Sequence, residues 1–148
     1  MAFTCIELET RRRQLGLSQT DLGVCIGLLS PKDPADPRPV GQHTVSRWEE
    51  GGTGQAAPPY WVQSALPKVF DRISEIQEAL FRRVLPFVES LEASEDGLVH
   101  VPMYRSDRDF ARAMPKMAGW PASLWNSAAL RAVDSLDDGR EYQFDMVR

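Results

Sequence analysis

The segment LLSPKDPADPRP, residues 28–39, packs four prolines and two aspartates together, and neither a helix nor a central strand can run through it. It divides the N-terminal part of the chain into short pieces on either side of a loop. Before it, Cys5, Leu8, Arg12 and Leu15 recur at three- and four-residue intervals. That rhythm predicts a helix from about Thr4 to Leu15, capped by Thr4 and stopped by Gly16. A second helix is expected from a Ser18 cap through Gln19, Leu22 and Ile26, with Gly27 closing it. After the loop, Val40 to Glu50 returns to helical spacing, with Val45 and Trp48 on one face and Gly51-Gly52 at the end.

Beyond the loop GGTGQAAPP, Pro59 suits the first turn of a short helix carrying Tyr60, Trp61 and Leu66. A longer helix follows, with Val69, Ile73, Ile76, Leu80, Val84, Phe87 and Leu91 in a near-heptad stripe. Such a stripe serves a core or a partner helix, and it motivates a dimer. Pro86 is expected to kink or break this helix near Leu85. Leu98 to Tyr104 alternates like a strand, Val99, Val101 and Met103 facing one way, His100 and Tyr104 the other; Pro102 assigns it to a sheet edge. Ser106 is placed to cap a helix reaching Met114, and Pro121 to open one running to about Leu136. The tail REYQFDMVR has weak strand character and no evident anchor.

Length and composition fit one compact domain or two small ones: 148 residues, of which 43% are hydrophobic. The net charge of −4 excludes a basic nucleic-acid coat or arm, but a specific contact surface depends on where charges sit rather than on their sum. Cys5 and Cys25 lie in helical apolar patterns and read as buried thiols in a reducing cytosol; with His43 and His100 far apart, no spacing resembles a zinc site. The opening MAFTCIELETRRR has no long apolar stretch, so neither a signal peptide nor a membrane span is expected, and the location is read as cytoplasmic.

Two separated elements carry the functional signal: RRRQLGLSQTDLG, and VGQHTVSRWEEG on the far side of the proline-rich loop. A Ser18 cap leaves helix amides and the Gln19 side chain free for a phosphate. Leu22, Ile26, Val45 and Trp48 are suited to lock the second and third helices together, and Glu49 to pair with an arginine of the first. The outer face of the third helix then presents Gln42, His43, Thr44, Ser46 and Arg47. Glutamine pairs bidentately with adenine and arginine with guanine, each for about 1–3 kcal/mol of discrimination; Thr44 suits a phosphate or a thymine methyl.

Together the two elements resemble the lambda-repressor-like, Cro-type helix-turn-helix regulators. The resemblance implies that Gln42, His43 and Arg47 point at base edges in the major groove. The chain departs from that family in its turn, since residues 28–39 stand where the family has a few residues. In that loop Lys32 and Arg38 are candidates for backbone contacts, with Asp33 and Asp36 present to cancel them; Arg11, Arg12 and Arg13 are either a phosphate-touching cluster or the wet side of the first helix.

Further on, VPMYRSDRDFARAMPKMAGWPASLWNSAALRAV is loosely similar to the C-terminal half of phage anti-CRISPR-associated autorepressors and small bacterial relatives. In those proteins this half makes a dimer. Trp120 and Trp125 read as core or interface residues. Asp107 and Asp109 read as a solvated charged face, and GGTG, lacking a lysine, as a turn. No catalytic set, cofactor or metal is expected.

The expectation is therefore a mainly α protein: a helix-turn-helix domain with a long inter-helix insertion over residues 1–66, and a helical dimerisation unit with a short strand over 67–148. Its expected role is a dimeric, sequence-specific transcriptional repressor, of phage or bacterial origin, that binds double-stranded DNA and no membrane. The alternatives are an antitoxin that also autoregulates, with a protein partner of unknown identity, and a helix-turn-helix protein-interaction module.

Overall fold

A computed structural model describes residues 4–51 and 57–147. It is mainly helical: α1 (Cys5–Gln14), α2 (Gln19–Leu29), α3 (Gln42–Glu49), α4 (Tyr60–Ser90), β1 (Leu98–Tyr104), α5 (Asp107–Ala113), a 3-10 turn (Pro115–Met117), α6 (Ala122–Ser135) and β2 (Glu141–Val147). Two compact units divide the chain, Met1–Ser74 and Glu75–Arg148, and the division falls inside α4. Gly52, Thr53 and Gly54 of GGTG, where a turn was expected, lie outside the described residues.

In the N-terminal unit the caps fall where short polar side chains stand before apolar periodicity. Thr4 Oγ1 accepts the Glu7 amide at 3.1 Å, and Ser18 Oγ accepts that of Asp21 at 3.0 Å. Gly16 ends α1 at φ 70°, a left-handed turn for which glycine has no Cβ penalty. Leu8, Leu22, Ile26 and Val45 are buried, as are Val62, Leu66, Val69 and Ile73 of the first half of α4. Cys25 is fully buried and Cys5 half-buried; both are free thiols.

Two expectations fail here. α2 does not close at Gly27 but runs on to Leu29, with Gly27 buried inside it. The short helix at Tyr60 and the longer one after it are a single helix of 31 residues, which Pro86 does not break before Ser90. An interior proline costs about 3 kcal/mol. Pro86 sits late in the helix and on its exposed side, so water can take the Arg82 carbonyl it leaves unpaired, while Val84 and Val88 on either side are fully buried. The buried series there is Leu80, Val84, Val88; Phe87, which the stripe included, is 39% exposed. Most of the stripe is spent on the chain's own core and is no free seam for a partner helix.

In the C-terminal unit β1 and β2 form a parallel pair in the register Leu98↔Glu141 to Tyr104↔Val147. Parallel strands need a long crossover, supplied here by α5, the 3-10 turn and α6. The tail thus has an anchor that only strand pairing reveals. Ser106 caps α5 as expected. Asp107, expected in a solvated face, instead accepts the Ala122 amide at 2.8 Å and so caps α6 from another element. Tyr104, expected on the face of β1 opposite Val99 and Val101, is buried, 5.5 Å from the Phe110 ring and 5.8 Å from that of Trp125.

Pro102 has its place on the strand explained by the same helix. Trp125 Nε1 donates to the Pro102 carbonyl at 3.0 Å, and the Asn126 amide bonds both the N–H (2.9 Å) and the C=O (2.8 Å) of Tyr104. Residues 102 and 104 therefore face away from β2, and the N–H that proline lacks is no loss to the ladder. No described helix is long and apolar enough to cross a membrane.

Candidate nucleic-acid interface

The proline-rich loop does not set the position of α3; its end does. The Val40 amide donates to the Gly23 carbonyl of α2 at 3.0 Å. A side chain at Gly23 would run into the Val40 carbonyl, and one at Gly27 into that of Arg38. The two glycines, one helical turn apart, let the returning chain lie directly on α2. Whatever residues 30–37 do, α3 begins beside Gly23. This is the site feature that sequence reasoning missed, and its signal was present: two glycines four apart inside a helix need a packing reason.

A chain of polar contacts then runs from α1 to the outer end of α3. Arg12 lies inside this unit rather than on the wet side of α1. Its Nε and Nη2 donate to Glu49 at 2.8 and 2.9 Å, and its Nη1 to the Leu17 carbonyl at 2.8 Å. The two side chains are only 11% and 4% exposed. The Glu49 carboxylate and this bidentate geometry hold the Arg12 guanidinium's pKa above its usual value, against the opposing effect of burial. Gln19 Nε2 donates to the same carboxylate at 3.3 Å, and Gln42 Nε2 donates to Gln19 Oε1 at 2.6 Å. Gln19 is thus tied to Glu49 and Gln42. Each glutamine amide still has a second N–H, and Gln42 keeps its Oε1, the donor and acceptor that an adenine edge requires.

Around Gln42 the other candidates share α3. His43 and Arg47 are exposed, and no described hydrogen bond or ion pair engages them. Thr44 and Ser46 are half-buried, and Ser46 Oγ reaches Glu50 at 3.5 Å, the outer limit of a hydrogen bond. Ser18, at the start of α2, spends an acceptor on its cap and keeps its hydroxyl proton to donate.

The basic residues separate by their partners. Arg13 pairs with Glu9 and Arg38 with Asp36, both on the surface. Lys32 has no described partner and lines, with Val40, Thr44, Arg47, Trp48 and Trp61, an open cleft of about 450 Å³. The loop thereby adds one cation beside α3 and neutralises another. Compared with protein-family models and with curated proteins, the chain matches none.

Proposed function

We propose that the protein is a sequence-specific DNA-binding regulator that acts as a dimer on an inverted repeat, repressing by occupying its site. One observation carries the reading. The buried Arg12–Glu49 pair and Gln19 fix Gln42 in orientation, while His43 and Arg47 on the same short helix have no described intramolecular partner. A solvated helix face has no need of a fixed glutamine; a probe for base edges does, because a bidentate contact depends on orientation. Ser18, the first amides of α2, Thr44, Ser46 and Lys32 are the phosphate-side contacts in this reading. The half-sites of a two-fold dimer lie about 34 Å apart, or a multiple of that. The reading requires no cofactor and no catalysis.

The test is selection of bound sequences from random duplex DNA, followed by titration of the selected site. A palindromic site is the expected result, and Arg47→Ala should cost about 1–3 kcal/mol of preference for it while circular dichroism stays unchanged. Failure to enrich any sequence, at low salt as well as high, would favour the protein-interaction module instead.

A further inference from the structure

β2 has one edge in use and one edge open. Because residues 102 and 104 face away from β2, it is Val99, Val101 and Met103 that bond to it. In a parallel ladder such residues bond to the neighbours of their register partners, so Gln143 and Asp145 face β1. Tyr142, Phe144 and Met146 consequently turn their N–H and C=O groups outward, and no described hydrogen bond reaches them. Their side chains continue the apolar face of Val99 and Val101, yet Tyr142 and Phe144 are only half-buried and Met146 is 48% exposed. The opposite edge of the sheet is closed at Pro102 and Tyr104 by α6. β2 has neither proline nor lysine along this edge, its charges Glu141 and Asp145 belong to the residues that bond to β1, and two strands alone make a marginal sheet.

We infer that this edge takes a second copy of the same chain, β2 pairing antiparallel with its two-fold mate about Phe144. The strand's self-complementarity argues for this occupant, and charge decides the register. With the axis at Phe144, Phe144 meets Phe144 and Tyr142 meets Met146, all with outward groups. On the other face Gln143 stands opposite Asp145, and Glu141 opposite Val147. Moving the axis to residue 143 sets Glu141 against Asp145; moving it to 145 sets Asp145 against itself. Registers with the axis between two residues oppose an outward residue to one that faces β1, and cannot bond. Of the registers near the strand centre, one therefore matches donors to acceptors and apolar to apolar without opposing like charges. The result is a four-stranded sheet in the order β1, β2, β2, β1. The inference rests on the dimeric part of the function proposed above and is independent of DNA reading.

Light scattering on the full chain over a concentration series tests it, with a dimer expected. Met146→Pro removes an N–H that points away from β1, twice per dimer, and should raise the dissociation constant about a hundredfold. Gln143→Glu places a carboxylate opposite Asp145 and should raise it about tenfold, whereas Gln143→Lys should lower it by a similar factor. Circular dichroism checks each fold, since Gln143 also donates to its own Asp145 at 2.9 Å. If Met146→Pro does not fold, opposite shifts from the two Gln143 variants support the pairing, and equal or absent shifts overturn it. A wild-type chain still monomeric at millimolar concentration overturns both the pairing and the dimeric reading. A dimer indifferent to Met146→Pro overturns the pairing alone.

Discussion

In the N-terminal unit a nearly buried ion pair joins α1 to α3, whereas in the C-terminal unit the described ion pairs lie at the surface around an aromatic centre. Arg131–Glu78 and Arg140–Asp138 are solvent-accessible, while within the unit Tyr104 meets Trp125 edge to face and Phe110 lies tilted against both. Aromatic packing fills volume with few demands on direction. A bidentate arginine–carboxylate pair fixes direction at the cost of desolvating both charges. The unit whose proposed task is to aim side chains is the one that carries the costly pair.

The largest expected effect comes from breaking that pair. Glu49→Ala strands the Arg12 guanidinium and should cost about 3 kcal/mol in urea unfolding. Arg13→Ala, one residue along the same helix but in an exposed pair with Glu9, should change almost nothing. Equal effects would remove the distinction between the two kinds of pair.

Next comes the close approach at Gly23. Gly23→Ala forces the Val40 carbonyl away from α2 and should cost about 2 kcal/mol, as overpacking does. It should also weaken binding to a selected DNA site, because α3 starts at the displaced segment. Lost stability with unchanged DNA affinity would show that the loop end does not position α3.

The smallest effect belongs to the surface ions of the C-terminal unit. His100 donates through Nδ1 to Asp145 at 2.6 Å and through Nε2 to Asp96 at 3.0 Å, which only an imidazolium can do. The bond to Asp145, then that to Asp96, raises the His100 pKa above its usual value. Asp96 is held down at about 2, chiefly by Ser94, then by the Leu98 amide and His100. Asp145 is lowered by Gln143 and then by His100. A raised histidine contributes stability that is complete below about pH 6.5 and is lost as pH rises through its folded value. Lowered carboxylates contribute stability present above about pH 4 and lost as pH falls through theirs. The contact between the β1 turn and β2 should hold best between these limits. In hydrogen exchange, the strand amides should lose protection on the alkaline side, and His100→Gln should flatten that limb.

The sequence by itself determined what is local. Thr4, Ser18 and Ser106 cap helices where they stand, Gly16 stops α1, and Leu22, Ile26, Val45 and Trp48 are buried as their spacing required. The pairing of Glu49 with an arginine of the first helix was legible too, since both ends of that pair lie in recognisable elements. Tertiary structure alone decided the rest: that Gly23 and Gly27 receive the returning loop, that Pro86 leaves α4 whole, that Tyr104 turns inward onto Trp125, and that the tail pairs with β1. Caps and periodicity are written within a turn or two of chain. Close approach and strand pairing depend on residues far apart in sequence, whose meeting no local pattern records.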